Sequence, residues 1–306
     1  MANFTAKDVA ALRERTGVGM MDCKKALTEA DGDAEKAITI LREKGLAAQA
    51  KKSGRIAAEG TVMAYACSEK NIGVVVEVNS ETDFVAKTDA FAGFVKQCAD
   101  CVIEYNPADV DALKECVVKE EGRKIGEILP DLVLRIGENI QIRRFERVEG
   151  KVFCYNHDGG KIGVLVKLDT DIDYDKVAAC GKDVAMQVAA MNAPYLNRES
   201  VPADVIEGEK NIMMAQMAED PKMASKPEQV KAKIAEGKLN KYYSENCLVE
   251  QTFVKDDSMT IAQYVESVAK ANGGAITVTG FVRFERGEGL AKREDNFADE
   301  VKSMMG

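Results

Sequence analysis

The residues best suited to chemistry are few, and they form no familiar catalytic motif. The chain has a single histidine, His157, in the glycine-rich stretch YNHDGGK (155–161). A chain with one histidine cannot form a metal site that uses several histidine ligands. A histidine-dependent catalytic triad would also need a nucleophile motif such as GxSxG. GxxxxGK[ST] and HExxH are absent, and no GxGxxG follows a strand pattern. The sequence therefore predicts a binding protein rather than an enzyme, with no cofactor and no metal site.

Two of the eight cysteines, Cys98 and Cys101, form the pair CADC. A redox CxxC pair usually opens a helix, where the helix dipole lowers the thiol pKa. Here the pair falls late in a helical pattern whose apolar positions share one stripe: Phe91, Phe94, Val95, Cys98 and Val102. That stripe favours a packed helix over a redox or metal site, and thiol chemistry stays as the alternative.

The stretch NSETDFV (79–85) follows the apolar run IGVVVEV (72–78), which is typical of a buried strand. Ser80 or Thr82 can cap a helix there, and the charge of Asp83 suits the first turn because it meets the helix dipole. Phe84, second in that helix, is then expected to project away from the protein. The alternative is a hydrophobic staple in which Phe84 packs on its own core.

A second apolar signal is the pair Met20 and Met21, which opens a helix directly after the GVG turn (17–19). Polar residues are usual in a first turn. We expect one methionine to pack inside and the other to form an exposed apolar patch.

The first 46 residues read as three short helices, at 5–15, 20–30 and 33–44, with Thr5 as an N-cap and Gly45 ending the third. They predict a small bundle. Residues 47–58 lack a hydrophobic stripe and read as a linker, in part helical.

The rest of the chain contains a degenerate duplication. IGVVVEV (72–78) matches IGVLVKL (162–168), and RFERVEG (144–150) matches RFERGEG (283–289). The sequence therefore predicts an α+β protein with antiparallel strands, made of one unit at 59–150 and a second at 151–200 and 244–289.

Residues 201–243 interrupt the second unit and predict an inserted helical hairpin. This hairpin could contact a second copy of the chain or have no binding role. Residues 290–306 predict an amphipathic C-terminal helix. The net charge of −9 argues against direct nucleic-acid binding. With no apolar run near the ~18 residues of a membrane span and no signal-peptide pattern at the N-terminus, we expect a cytoplasmic protein with protein partners.

Four motifs together carry a resemblance to the bacterial elongation factor Ts family: TGVGMMDCKKALTEADGD (16–33), NSETDFVAK (79–87), RIGENIQIRR (135–144) and GFVRFERGEG (280–289). They occur in order over essentially the whole chain. Members of that family exchange guanine nucleotides on the GTPase elongation factor Tu, and the resemblance implies a three-helix bundle like ubiquitin-associated domains at the N-terminus.

The resemblance also implies a site. The segment Thr82, Asp83, Phe84 and Val85 would enter the nucleotide-binding domain of elongation factor Tu near its magnesium ion. Phe84 would wedge between two helices there and Asp83 would make polar contacts. The wedge would dislodge Mg²⁺ and disturb the phosphate site, so that GDP leaves.

Further partner-binding residues are implied by the same resemblance. Met20, Met21 and Lys24 would dock the N-terminal bundle on the nucleotide-binding domain, as would the tail helix. Ile136 would contribute an apolar contact from the first unit. His157 and Val254 would face the distal domain of the GTPase. The hairpin resembles the dimerisation or coiled-coil element of the family. The alternative functions are a thiol-based redox protein or an adaptor that acts through the N-terminal bundle.

Overall fold

The computed structural model describes residues 3–220 and 226–291, an α+β fold with eleven α-helices and ten strands in those ranges. The helices are α1 (Ala6–Thr16), α2 (Met20–Glu29), α3 (Ala34–Lys52), α4 (Asp83–Ala86), α5 (Asp89–Tyr105), α6 (Val110–Glu115), α7 (Ile125–Ile136), α8 (Tyr174–Met191), α9 (Ala203–Glu219), α10 (Glu228–Asn246) and α11 (Ile261–Ala271). The strands are β1 (Glu59–Cys67), β2 (Ile72–Ser80), β3 (Val117–Val118), β4 (Arg123–Lys124), β5 (Gln141–Glu149), β6 (Lys151–His157), β7 (Ile162–Thr170), β8 (Thr252–Phe253), β9 (Asp256–Thr260) and β10 (Ile276–Glu285). None of the helices within these two ranges is long and apolar enough to cross a membrane.

The first three helices enclose a small apolar core of their own. Its buried side chains come from all three helices and the two turns that join them: Val9, Leu12, Val18, Cys23, Ala26, Leu27, Ala30, Ala37 and Leu41. Thr5 is the N-cap of α1, and its backbone N–H donates to the Asp8 carboxylate at 2.7 Å. The first helix thus begins where its capping residue predicts.

The third helix is longer than predicted, because it continues through Gly45 to Lys52. The prediction that Gly45 ends the helix is wrong. The linker expected at 47–58, in part helical, remains a prediction, and the first six of its residues belong to α3. Gly45 is buried, and a Cβ there would lie 3.0 Å from the carbonyl oxygen of Pro130 in α7. This glycine therefore serves the close approach of α3 to α7, not a C-cap.

Two antiparallel three-stranded sheets form the centre of the protein, in the orders β1-β2-β5 and β10-β7-β6. The matched motifs lie in equivalent strands, since IGVVVEV is in central β2 and IGVLVKL is in central β7, while the RFER motifs begin in β5 and β10. The two RFER motifs differ in register, because Arg144 pairs with Glu77 whereas Arg283 pairs with Val164, the residue aligned with Val74. In each case three α-helices, a short two-stranded hairpin and one further α-helix separate the central strand from its partner: α4 to α6, β3-β4 and α7 in the first, and α8 to α10, β8-β9 and α11 in the second. The unit boundaries proposed from the sequence remain a prediction.

The two sheets pack against each other across a shared apolar cluster of Val62, Ala64, Val75, Val152 and Leu165. A Cβ on Gly73 would lie 2.3 Å from the side chain of Val152, so glycine is required for this close approach. The amide of Asn156 bonds both the N–H and the carbonyl of Ala64, at 2.7 and 2.8 Å.

A buried carboxylate, Glu77 in β2, also joins the two sheets. It accepts from the guanidinium groups of Arg143 and Arg144 at 2.9 and 2.6 Å, and from the Gly287 N–H after β10 at 2.8 Å. Burial by itself would raise the pKa of Glu77, but these donors together with Asn79 outweigh it and lower the pKa below 4.5. The folded protein therefore stabilises the ionised form.

The helices α9 and α10 are inserted between α8 and β8. They contact each other, with Met213 and Met217 of α9 buried. The Arg198 guanidinium bonds both carboxylate oxygens of Glu250 at 2.6 Å and holds the base of the insertion. Residues 221–225, in the turn of the predicted hairpin, lie outside the described residues, as do 292–306 of the predicted tail helix.

Candidate partner-binding site

The segment after β2 forms the single-turn helix α4, with Thr82 at the N-cap and Phe84 second in the helix. The side chains of Phe84 and Val85 separate: Val85 is buried in the core of the first sheet, and Phe84 is 77% exposed. The staple alternative, with Phe84 packed on its own core, is therefore wrong. The turn therefore exposes the large apolar ring of Phe84 to solvent, while the buried Val85 side chain anchors the turn to the core.

The capping residue is held in an unusual way. Thr82 occupies the N-cap position but makes no side-chain cap bond within the helix. Its hydroxyl donates to Glu138 Oε1 at 2.7 Å and its backbone N–H donates to Glu138 Oε2 at 3.0 Å. The hydroxyl of Ser80 donates to the Thr82 carbonyl at 2.8 Å. The two oxygens of the Glu138 carboxylate thus fix the residue that precedes α4.

A neighbouring carboxylate secures the same turn to two other segments. Glu81 accepts the backbone N–H of Asn139 at 2.6 Å and pairs with Arg55 at 3.3 Å. The side chain of Asn139 donates to the Arg55 carbonyl at 2.8 Å. The turn, the start of β5 and the chain after α3 are therefore tied together at one place.

The charge beside the exposed ring belongs to Asp83. Lys87 donates to its carboxylate at 2.7 Å, and this hydrogen bond lowers the pKa of Asp83. The Lys87 ammonium also lies 5.9 Å from the centre of the Phe84 ring. At neutral pH the site therefore offers an ionised carboxylate next to an apolar surface.

Both methionines of the N-terminal motif are exposed, Met20 by 44% and Met21 by 62%. The prediction that one packs inside is wrong, because Cys23, Ala26 and Leu27 form the buried face of α2. Lys24 is exposed as well. With Met20 four residues and Met21 three residues before Lys24, the three side chains share one exposed helix surface.

Ile136 is the last residue of α7 and is half-buried against the core of the first sheet. Because Gly137 and Glu138 follow it, the structure brings Ile136 to the edge of the Thr82 turn.

The other two predicted residues belong to the second sheet region. His157 is exposed at the end of β6, with Nδ1 3.1 Å from the Tyr155 hydroxyl. Val254 is 47% exposed between β8 and β9.

The CADC pair lies inside α5, with Cys98 and Cys101 both buried. Burial raises the pKa of Cys98 well above its usual value and raises the pKa of Cys101 to about 11. Both thiols stay protonated at neutral pH, which is the opposite of an activated redox pair. The predicted packed helix is confirmed.

The residues that sequence reasoning missed are the ones that hold the turn: Glu138, Glu81, Asn139 and Arg55. Glu138 lies in the quoted motif RIGENIQIRR, but it meets Thr82 across a separation of 56 residues. No local pattern indicates such a pairing. The sequence links Thr82 and Glu138 only in that their motifs, NSETDFVAK and RIGENIQIRR, both belong to the family resemblance.

Known proteins match the chain over its full length. A family model described as Elongation factor TS matches residues 81–288. The chain is 47% identical to Elongation factor Ts of Clostridium kluyveri (strain ATCC 8527) over 306 residues, 99% of each protein. It is 46% identical to Elongation factor Ts of Clostridium botulinum (strain ATCC 19397 / Type A), covering 98% of that protein.

The chain belongs to the elongation factor Ts family. It is therefore a translation elongation factor by family. The match to the family model starts at Glu81, so it includes the exposed Phe84 turn, Glu138 and both RFER motifs.

Proposed function

We propose that this chain binds elongation factor Tu in its GDP form and promotes GDP release and GTP exchange, acting as an exchange factor and not as an enzyme. The observation that carries the proposal is Phe84, 77% exposed on an anchored turn in a member of this family. An apolar ring held outward on an anchored turn can enter an apolar cleft of a partner, where its burial contributes to binding.

The proposed mechanism is a wedge. Phe84 inserts between two helices of the nucleotide-binding domain of elongation factor Tu, while Thr82, Asp83 and Val85 carry the ring to the magnesium site. Displacement of groups that hold Mg²⁺ removes the main charge neutralisation of GDP. The factor must then bind the nucleotide-free GTPase better than the GDP form, and GDP weakens its binding by the same factor.

One ring is not sufficient for a large acceleration. A ten-thousandfold faster release requires about 5.5 kcal/mol, whereas burial of one phenylalanine contributes about 1.5–3 kcal/mol. Other contacts must therefore share the load. We assign them to Met20, Met21 and Lys24 on α2, to Ile136, and to the exposed His157 and Val254.

The remaining assignments follow the same family pattern. The bundle (1–46) docks on the nucleotide-binding domain, together with the tail (290–306), and the inserted helices (201–243) contact a second copy in a homodimer. Direct nucleic-acid binding is not part of the proposal, because the chain carries a net charge of −9.

The test is stopped-flow release of a fluorescent GDP from elongation factor Tu, with and without the chain, in Mg²⁺ and again in EDTA. We expect strong acceleration in Mg²⁺ and a much smaller one in EDTA, because the metal is then already gone. No acceleration in either buffer would contradict the exchange function. Equal acceleration in both would contradict the route through Mg²⁺.

A further inference from the structure

We propose that Glu138 is a positioning residue for nucleotide exchange: its carboxylate holds the Thr82 turn so that the Phe84 ring is aimed at the partner before contact. This inference rests on the proposed function. Glu138 itself touches neither nucleotide nor metal. It acts through the turn it holds.

The geometry of the contact supports this role. Glu138 uses one carboxylate oxygen for the Thr82 hydroxyl and the other for the Thr82 N–H, at 2.7 and 3.0 Å. A carboxylate that accepts two donors from one residue fixes both the position and the rotation of that residue. Thr82 directly precedes α4, so its orientation sets the direction in which Phe84 projects.

The residue before Glu138 explains how the carboxylate reaches the turn. Gly137 ends α7 in the left-handed conformation, with φ +86°. The chain therefore reverses sharply after Ile136 and delivers Glu138 to the N-cap of α4. Asn139, next in sequence, bonds Glu81 and the Arg55 carbonyl from the same place.

The second sheet supplies an internal reference for this contact. Alignment of the two IGV motifs places Glu81 opposite Asp171 and Thr82 opposite Ile172. Asp171 accepts the Ala275 N–H at 2.8 Å, much as Glu81 accepts the Asn139 N–H at 2.6 Å. Ile172 is buried, however; its side chain has no hydroxyl, and its backbone N–H donates to Thr170 Oγ1 at 3.1 Å.

Gly274 precedes Ala275 in the second sheet region, where Glu138 precedes Asn139 in the first. Among the described residues, therefore, both turns have a carboxylate that accepts a backbone N–H from the chain before the partner strand. Only the turn after β2 has a second carboxylate, Glu138, that accepts from both donors of one turn residue.

The aligned turn after β7 is held by a different group, since the Lys151 ammonium donates to the carbonyls of Thr170 and Ile172 at 3.0 and 2.7 Å. Contact with a carboxylate through both the hydroxyl and the N–H of one residue is thus specific to the turn that presents a ring to solvent.

A held turn matters because a loose turn loses conformational entropy when it becomes ordered on binding, and that loss opposes binding. Without Glu138, we expect Phe84 to remain on the surface but to enter the partner less often in the wedge geometry. The maximal rate of GDP release should fall more than the affinity of the factor for nucleotide-free elongation factor Tu, which many other contacts supply.

The experiment is a double-mutant cycle of Glu138→Ala and Phe84→Ala, read by GDP release at saturating factor. In the presence of Phe84 we expect Glu138→Ala to slow release about tenfold, the size of a charged hydrogen bond. In the Phe84→Ala background the same change should have almost no effect. Glu146→Gln, an exposed carboxylate of β5, is the matched control and should leave the rate unchanged.

Thr82→Val provides a milder second test, because it keeps the side-chain shape and removes only the hydroxyl donor. It should slow release in the same direction, with thermal melts confirming that each variant is folded. Slowing by the same factor in both backgrounds, or no slowing by either variant, would overturn the positioning role. If the single variant Phe84→Ala accelerated GDP release as well as the parent chain does, the proposed wedge would be contradicted. That result is distinguishable from a failure of the positioning role, which the Glu138→Ala comparison tests.

Discussion

The turns that follow the two central strands use an aromatic ring in opposite ways. In the alignment of the two IGV motifs, Phe84 after β2 stands opposite Tyr174 after β7. Phe84 is 77% exposed. Tyr174 is half-buried, stacks on Phe153 with ring centres 4.5 Å apart, and donates to the Val152 carbonyl at 2.8 Å.

The difference comes from how far the helix after each central strand continues. After β7, α8 starts at Tyr174 and continues to Met191, so the ring belongs to a long packed helix. After β2, α4 ends at Ala86, and Thr88 caps the separate helix α5. This interruption allows one turn to stand away from the core. The same local framework therefore stabilises the fold in one place and presents a binding group in the other.

The largest expected effect concerns another pair of aligned positions, Glu77 and Lys167. Glu77 is fully buried among Arg143, Arg144 and the Gly287 N–H, whereas Lys167 is only half-buried. Glu77→Gln should lower the free energy of unfolding by about 3 kcal/mol, because charged donors lose their partner. Lys167→Gln should change it by less than about 0.5 kcal/mol. Urea denaturation at neutral pH measures both.

The effect of Glu77 should also depend on pH in a defined direction. Its pKa in the folded protein is lower than the usual 4.5, so its contribution is complete above that value and is lost as the pH falls through the folded pKa. The gap in stability between the parent and Glu77→Gln should therefore narrow in acid. A gap that stays constant from neutral pH to about pH 3 would contradict the lowered pKa.

A medium effect is expected for Tyr174→Ala. Loss of the stacked ring and of its hydrogen bond should destabilise the protein by about 2 kcal/mol, since the ring is only partly buried. Phe84→Ala should leave the thermal unfolding temperature unchanged, because its ring contributes little to the core. Similar losses for the two variants would break the contrast between the turns.

The smallest effect is expected for Gly137→Ala. A Cβ there meets nothing within 4 Å, so only the left-handed backbone, φ +86°, opposes the change. We expect about 1 kcal/mol of destabilisation, and slower GDP release because Glu138 shifts. Gly208→Ala, which also has open space but ordinary helical backbone, should be neutral or slightly stabilising. Equal stability of the two variants would show that the turn after Ile136 is unstrained.

Much of the fold was predictable because its signals are local. Thr5 caps the first helix as predicted, the third helix starts within one residue of the predicted position 33, and the repeated motifs occupy equivalent strands. Phe84 was placed outside by its position in the first turn of a helix. Gly45 was misread because a glycine in a helix serves either a cap or a close contact, and only the position of Pro130 shows which.

The support of the candidate site was not predictable for a related reason. The contact between Glu138 and Thr82 depends on where the end of α7 meets the end of β2, which no local pattern encodes. The exposure of both Met20 and Met21 likewise follows from which face of α2 the bundle covers. Contacts between distant segments decide such features.

The most direct test of the outward ring is the rate of GDP release from elongation factor Tu at saturating Phe84→Ala, compared with the parent chain. We expect a decrease of about 10- to 100-fold, since burial of one phenylalanine contributes about 1.5–3 kcal/mol, together with an unchanged unfolding temperature. Release at the parental rate by a fully folded Phe84→Ala protein would contradict the account.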